Sequence, residues 1–169
     1  GYLAMSPSVQ QAIAQLKQQA KDNGAKIAVS FADPAVVKFG REGLDAMLEG
    51  GVDAVFCNCD EAQLFTNQTS HSQAATALLS VANMAVVTNG AAGSIIAVRD
   101  DVSRETKLID VASLPVDQVL DTNGAGDNFA GSFLYALSHG HAFADCGKLA
   151  SCVASQIIQQ FGPRLTPAQ

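Results

Sequence analysis

The chain has 169 residues, of which 48% are apolar, and this suffices for one domain with a substantial core. A formal net charge of −6 and the lack of a basic run argue against nucleic-acid binding, because nothing would neutralise a phosphate backbone. The sequence contains no long apolar span and no signal peptide, so we expect no membrane partner and a cytoplasmic location.

Apolar strands alternate with amphipathic helices along the first half of the chain. We expect Ser6 to cap the first helix, with Pro7 at its first position, and Asn23-Gly24 to end it. In chain order we predict a strand at 2–5, this first helix, a strand at 26–31, a helix through Val37 and Leu44 to Leu48, a strand at 52–57, a short helix at 58–65, a helix at 73–81 and a strand at 84–88.

The second half continues with shorter strands and two helices. The glycine-bearing residues 89–93 predict a turn, and Asp100-Asp101 predicts the tip of a hairpin-like loop. We further predict a strand at 94–98, an antiparallel edge strand at 107–111, a strand-like apolar run ending near Val119 and Leu120, a helix from Phe129 to Leu137, and a long helix at 142–161.

This alternation predicts an α/β layered fold with a mostly parallel sheet. In such sheets, ligands bind beyond the carboxyl ends of the strands. Polar residues follow four of the predicted strands, and we expect them to gather at one edge of the sheet. These residues are Asp33, Asn58 with Glu61, Thr88 with Asn89, and Asp121 with Asp127.

The stretch from Asp121 to Gly131 places two aspartates and three glycines at the start of an apolar helical run. A glycine-rich turn that opens a helix presents unpaired backbone N–H groups and the positive end of the helix dipole, which together bind anions such as phosphate. We therefore expect the amides of Gly124, Ala125 and Gly126 to form an anion hole. The alternative is a plain helix cap, in which the glycines serve only the tight turn.

Asp127 lies in the first turn of the same helix, where its charge would repel a phosphate unless it had a separate task. Phosphoryl transfer to a hydroxyl needs donors for the charge on the moving phosphoryl group and a carboxylate that accepts the hydroxyl proton. The helix amides can supply the donors and Asp127 the carboxylate. Under this interpretation Asp127 is the catalytic base.

The string Asp-Thr-Asn-Gly-Ala-Gly-Asp at 121–127, followed by Phe129 and Gly131, resembles the C-terminal signature of the ribokinase-like (PfkB) sugar and nucleoside kinases. In its detail it is similar to the adenosine-kinase-like members of that family. The resemblance implies a ribokinase-like three-layer α/β/α fold. It also implies that residues 1–169 are the C-terminal nucleotide-binding and catalytic part of a longer kinase, without the N-terminal strands and the lid.

Asn58-Cys59-Asp60-Glu61 follows a predicted strand and opens a predicted helix. One interpretation is a capping box, with Asn58 as the cap and Glu61 three residues later. The other is a hard oxygen site, in which Glu61 holds a Mg²⁺-bound water and Asn58 reaches a nucleotide phosphate. The kinase family is similar here, with an Asn-x-x-Glu motif after a strand, although it often has Glu where this chain has Cys59.

Thr88-Asn89-Gly90-Ala91-Ala92-Gly93 is read either as a hairpin loop or as a nucleotide-contacting turn. The family resemblance implies that Thr88 and Gly90 contact phosphate or ribose and that Gly93 permits a close approach. It likewise assigns Thr122 and Asn123 to the nucleotide.

The turn at Gly162-Pro163-Arg164 is similar to a turn that binds K⁺ in some relatives, together with the first signature residues. By that resemblance Asp121 and Asn123 are the candidate K⁺ ligands.

Four cysteines lie at positions 57, 59, 146 and 152. Cys57 and Cys59 lack a second close pair at zinc-ligand spacing, so we expect buried free thiols in a reducing compartment. The sequence also lacks a P-loop motif, a complete Rossmann fingerprint and a Gly-x-Ser-x-Gly elbow.

Together, the residues and the resemblance predict an ATP- and Mg²⁺-dependent kinase that phosphorylates a primary hydroxyl of a sugar or purine nucleoside. Family members also suggest a homodimer through the lid region, which lies outside these residues. The principal alternative is a non-catalytic nucleotide-binding paralogue or regulatory protein with the same fold. A dinucleotide-dependent oxidoreductase is a more distant alternative.

Overall fold

A computed structural model describes residues 5–100, 103 and 105–165 as alternating helices and strands. Short 3₁₀ turns lie at Leu78–Ser80 and Gly90–Ala92. The helices are α1 (Pro7–Asp22), α2 (Pro34–Phe39), α3 (Arg41–Leu48), α4 (Cys59–Thr66), α5 (His71–Ala77), α6 (Ala125–Ser138) and α7 (Phe143–Ile157), and the strands are β1 (Ala28–Ser30), β2 (Val52–Asn58), β3 (Ala82–Thr88), β4 (Ser94–Arg99) and β5 (Thr106–Val111).

The five strands form one sheet in the order β1-β2-β3-β4-β5. β1 and β2 are parallel, with Ala28 opposite Ala54 and Ser30 opposite Phe56. The connections 89–93 and 100–105 are too short for the crossover that a parallel pair needs, so β4 runs antiparallel to β3 and β5. β3 and β5 therefore share one direction, as β1 and β2 do, and the expectations of a mostly parallel sheet and of an edge strand at β5 are both confirmed.

The described residues divide into two compact units, each with its own buried side chains. One contains the described residues up to Val87 together with 97–108, and the other contains 88–96 together with 109–165. The largest fully buried side chains of the first are Phe31, Leu44, Leu48, Leu78, Val36, Val55, Val86 and Val87, and those of the second are Phe133, Ile96, Ile157 and Cys146.

In the second unit, α7 packs closely against β4 and β5. A Cβ added at Gly147 would lie 2.7 Å from a methyl carbon of Val111 on β5 and 3.3 Å from Ile96 on β4. Only a glycine lets the helix backbone come this near, because interiors are packed to crystal-like density. The helix face around Gly147 is accordingly buried.

The predicted helix through residues 37–48 is interrupted at Gly40, which ends α2 and precedes α3. The Gly40 amide donates to the Val36 carbonyl at 2.8 Å, and an added Cβ would lie 2.9 Å from that same oxygen. The apolar period runs unbroken through this position, so the sequence pattern did not reveal the break. A lone glycine inside a helical pattern is ambiguous until the neighbouring backbone is known.

The strand-like run predicted before Leu120 is wrong, because residues 112–122 contain neither helix nor strand. Val119 is 53% exposed and Leu120 is 40% exposed. The Leu120 amide donates to the Ile158 carbonyl at 2.8 Å, just beyond the end of α7. The backbone here is satisfied by a helix terminus and not by a sheet, and α7 ends at Ile157 instead of continuing to Phe161.

Other boundaries differ by smaller amounts. β1 is shorter than predicted, and the helix predicted at 73–81 begins at His71 and finishes as a 3₁₀ turn. Of the strand predicted at 2–5, only Met5 lies within the described residues, and it is 51% exposed. Asp101 of the predicted loop tip also lies outside the described residues.

None of the four cysteines forms a disulfide bond, and Cys57 and Cys146 are buried whereas Cys59 and Cys152 are partly exposed. Within the described residues, no helix combines the length and the apolar character needed to cross a membrane.

Candidate functional site

In the first unit, a reciprocal capping box joins the end of β2 to the start of α4. The Glu61 amide donates to Asn58 Oδ1 at 2.8 Å, and the Asn58 amide donates to Glu61 Oε2 at 2.9 Å. Asn58 Nδ2 also donates to Glu61 Oε1 at 3.0 Å. The capping interpretation of this motif is therefore correct, and both carboxylate oxygens of Glu61 already accept hydrogen bonds.

Glu61 is an unusual capping residue because it is buried, with only 4% of its surface exposed. Burial raises the pKa of the Glu61 carboxyl, opposed by the Asn58 amide and reinforced by the negative charge of Asp33. Asp33 caps α2, where its carboxylate accepts from the Ala35 amide at 2.6 Å. The polar residues that follow β1 and β2 thus lie close enough to interact, as expected for neighbouring parallel strands.

The role of Glu61 in holding a Mg²⁺-bound water stays a prediction, and both of its carboxylate oxygens already accept hydrogen bonds. No group of three or more His, Cys, Asp or Glu within the described part of the chain could hold a metal ion by itself. Mg²⁺ does not need such a cage, because it usually keeps several waters and binds one or two carboxylates plus substrate phosphates. Burial raises the pKa of the Cys57 thiol and also that of Cys59, so these neighbours are protonated sulfur and not thiolate ligands at neutral pH.

In the second unit, Gly124 precedes α6 in the left-handed conformation, with φ of 76°. An added Cβ at Gly124 would lie 2.5 Å from Pro163 Cβ and 2.9 Å from Pro163 Cα. Glycine is required on both counts, because L side chains rarely adopt this backbone conformation and because Pro163 fills the space.

The first turn of α6 has no side-chain cap, in contrast to the first turn of α4. No side chain caps α6, and the amides of Gly126 and Asp127 have no hydrogen-bond acceptor within the described residues. A Cβ added at Gly126 would meet nothing within 4 Å, so neither packing nor a positive φ requires glycine there. Asp127 is exposed on the same turn. The turn offers N–H donors, free space and a carboxylate together.

Asp121 ties this turn to the residues after α7. Its Oδ1 accepts from the Asn123 amide at 2.9 Å, and its Oδ2 accepts from the Gly162 amide at 3.1 Å. These two N–H groups lower the pKa of the Asp121 carboxyl, with Asn123 the larger cause. Both carboxylate oxygens of Asp121, which the sequence predicts to bind a metal ion, thus accept hydrogen bonds from backbone amides.

The turn after β3 is shaped by its own backbone. The Asn89 amide donates to the Gly93 carbonyl at 2.7 Å, and Ser113 Oγ donates to the Ala91 carbonyl at 2.6 Å. Gly93 has φ of 90°, and a Cβ there would overlap the carbonyl oxygen of Val111. The close approach that Gly93 permits is therefore an approach of residues 111–113, whereas Gly90 has open space around it.

The side-chain hydrogen bonds of the capping box and those of the Asp121 carboxylate each join neighbours within one unit, so each unit contributes its own local group. Sequence reasoning missed Asn128, whose side chain contacts both Gly124 and Pro163. Asn128 stands at a position that the signature leaves variable, so the motif carried no signal for it. The turn at Gly162-Pro163 had a weak signal, since glycine followed by proline marks the end of a helix.

The chain is similar to known proteins in both sequence and fold. It matches the family described as pfkB family carbohydrate kinase over residues 1–169. Adenosine kinase from Saccharomyces cerevisiae is 29% identical over 96% of this chain and 48% of the relative. The chain therefore spans about half the length of the curated relatives it matches.

Solved structures show the same fold. The crystal structure of adenosine kinase from Sinorhizobium meliloti aligns with a TM-score of 0.86 and 32% identity, covering 97% of this chain and 49% of the other. Arabidopsis thaliana ribokinase, complexed with ribose and ATP, aligns with a TM-score of 0.70 and 22% identity, covering 90% and 47%. The expected ribokinase-like fold is confirmed.

We expect Gly124→Ala and Gly126→Ala to change stability in opposite directions. Gly124→Ala strains the backbone and collides with Pro163, so the free energy of unfolding falls by about 1–3 kcal/mol. Gly126→Ala adds a helix-favouring methyl in open space and raises the free energy by about 0.5–1 kcal/mol. Urea unfolding of the two variants measures both changes, and equal losses would contradict the geometry described for this turn.

We expect Glu61→Gln to make stability less dependent on pH. Because folding raises the pKa of the Glu61 carboxyl above its ordinary value, the folded chain holds this proton better than the unfolded chain does. Wild-type stability is then lost as pH rises from that value through the raised pKa. The glutamine side chain does not titrate, so the variant does not lose this contribution. As the pH rises from 4 to 8, the free energy of unfolding of the variant therefore increases relative to that of the wild type. A difference that stays constant across urea titrations in that range would contradict the assignment.

Proposed function

Because this chain belongs to the pfkB family of carbohydrate kinases, we propose that it carries the catalytic turn of an ATP-dependent phosphotransferase. The acceptor is a primary hydroxyl of a sugar or purine nucleoside. The proposal concerns the whole protein, since the chain spans about half the length of its curated relatives. The observation that carries it is the open first turn of α6, with unpaired amides and Asp127 together.

The proposed anion hole consists of the backbone around Gly124, Ala125 and Gly126. Ala125 already donates to the Thr122 carbonyl at 3.2 Å, so the amides of Gly126 and Asp127 are the open donors. The positive end of the α6 dipole adds to their attraction for negative charge. In phosphoryl transfer such donors stabilise charge on the equatorial oxygens of the moving group. The absence of a Cβ at Gly126 leaves room for those oxygens.

Asp127 is the proposed base. Its carboxylate stands on the same turn as the open amides, so a hydroxyl bound at this carboxylate would lie next to a phosphate bound at the amides. Accepting the hydroxyl proton during attack strengthens the nucleophile and is the task of the carboxylate in this class of reaction.

ATP and Mg²⁺ are the proposed cofactors. Glu61 would hold a Mg²⁺-bound water, which its buried carboxylate and the nearby charge of Asp33 favour electrostatically. Asn58 would then face a nucleotide phosphate. The metal neutralises phosphate charge when bound, while the capping box keeps Glu61 in one orientation.

The remaining nucleotide contacts are proposed at Thr88, Gly90, Thr122 and Asn123. Open space around Gly90 supports its assignment, and Thr122 and Asn123 are both exposed beside the α6 turn. At Gly93, the requirement for glycine comes from packing against the backbone of residues 111–113. We therefore expect Gly93 to act on the nucleotide only through the shape of its turn. Similarity to adenosine kinases makes adenosine the first acceptor to assay, with ribose and fructose next.

We expect Asp127→Asn in the full-length protein to lower kcat by about 10²–10⁴-fold, because the amide cannot accept the hydroxyl proton. ATP affinity stays near the wild-type value, as measured by isothermal titration. Gly126→Ala, although more stable, also loses turnover because its methyl enters the phosphoryl space.

Asp145→Asn is the matched control for the Asp127 variant. Asp145 is likewise an exposed aspartate in the first turn of a helix, paired with Lys148 at 3.0 Å. Full turnover in Asp127→Asn would rule out the base. A wild-type protein that binds ATP but phosphorylates no acceptor on the panel would support the non-catalytic alternative.

Potassium binding at Asp121 and Asn123 stays a prediction. A cation there must share carboxylate oxygens that already accept from the Asn123 and Gly162 amides. If it binds, kcat in potassium chloride exceeds kcat in tetramethylammonium chloride at the same ionic strength. Equal values in the two salts would show that the amide contacts hold Asp121 without a cation.

A further inference from the structure

The side chain of Asn128 connects two separate turns. Its Nδ2 donates to the Gly124 carbonyl at 2.7 Å and to the Pro163 carbonyl at 2.8 Å. Both partners are acceptors, so the amide nitrogen and not the amide oxygen must face them. The first bond stays within the α6 terminus, whereas the second reaches 35 residues along the chain.

Two further contacts join the same turns. Asp121 accepts from the Asn123 amide on one side and from the Gly162 amide on the other. Pro163 fills the space beside Gly124 where a Cβ would stand. The two turns are therefore held by a carboxylate, a side-chain amide and a close van der Waals contact.

The backbone that leads to the open amides lies outside regular secondary structure. Residues 112–124 form no helix or strand, so regular hydrogen bonding does not hold the approach to α6. The Gly124 carbonyl accepts both from Asn128 Nδ2 and from the Asn128 amide at 2.9 Å. The Asn128 side chain thus adds a second hydrogen bond to the Gly124 peptide, from which the following amides of α6 extend.

We propose that Asn128 is a positioning residue, which locks the 121–124 turn to the 162–164 turn and so aims the Gly126 and Asp127 amides. This rests on the proposed function for its catalytic consequence, while the clamp itself can be tested without turnover. Asn128 does not touch the reacting atoms in this role. It acts through the Gly124 peptide.

Asn128→Asp in the full-length protein is the sharpest test. The two side chains have the same shape, but a carboxylate has no N–H to donate and places negative charge against two carbonyl oxygens. Loss of the clamp misplaces the amides, so we expect kcat to fall about 100-fold while KM for ATP changes much less. Asn128→Ala removes the bonds without repulsion and is expected to lose kcat to a smaller extent.

Asn23→Asp is the matched control. Asn23 Nδ2 donates to the Gln19 carbonyl at 2.7 Å, four residues earlier, just as Asn128 does to Gly124. It lies at the end of α1 and has no part in the signature turn. We expect this variant to keep the wild-type kcat, and each kcat is normalised to the folded fraction from thermal unfolding.

Hydrogen exchange provides the readout that does not depend on activity. Loss of the clamp is expected to speed amide exchange in peptides covering 121–128 and 160–165 of Asn128→Asp but not of Asn23→Asp. An unchanged kcat per folded Asn128→Asp molecule, in an active enzyme, would overturn the positioning role. If the wild type phosphorylates no acceptor, the proposed function fails and exchange alone decides. Unchanged exchange would then overturn the clamp.

Discussion

The left-handed peptide at Gly124 is the constraint on which the candidate site depends. A helix begins with amides that lack intrahelical partners, and a side chain usually satisfies some of them. At α6 the preceding residue is a glycine packed against Pro163, so no side chain is available to cap the turn. The amides therefore remain directed outward, and their exposure follows from one backbone conformation and one close contact.

The start of α4 shows the opposite solution to the same need. There Asn58 and Glu61 satisfy each other's backbone amides, and the carboxylate is buried as a result. Burial raises the pKa of the Glu61 carboxyl and the amide of the Asn58 cap opposes that rise, while the cap holds the side chain in one orientation. Structural and functional interpretations of this motif are therefore compatible, since the cap holds the proposed metal ligand.

Local patterns predicted most of the elements, because buried strands and amphipathic helices have distinct periods. The predicted Ser6-Pro7 start of α1 and the Asn58–Glu61 cap are local features and agree with the structure. The predicted elements were wrong where contacts with residues distant in the chain determine the structure. The Leu120 amide donates to the Ile158 carbonyl at the end of α7 instead of to a strand, and a Cβ added at Gly40 would overlap the side chain of Met5, a residue distant in the chain.

The sequence by itself determined the fold class, the order of the elements and the signature at 121–127, because each is written in neighbouring residues. Only the tertiary structure showed that Gly93 serves the packing of residues 111–113 and that Gly124 serves Pro163. It alone revealed Asn128 as the link between two turns. The physical reason is the same in each case: the deciding contact joins residues far apart in the chain, and local periodicity carries no information about such contacts.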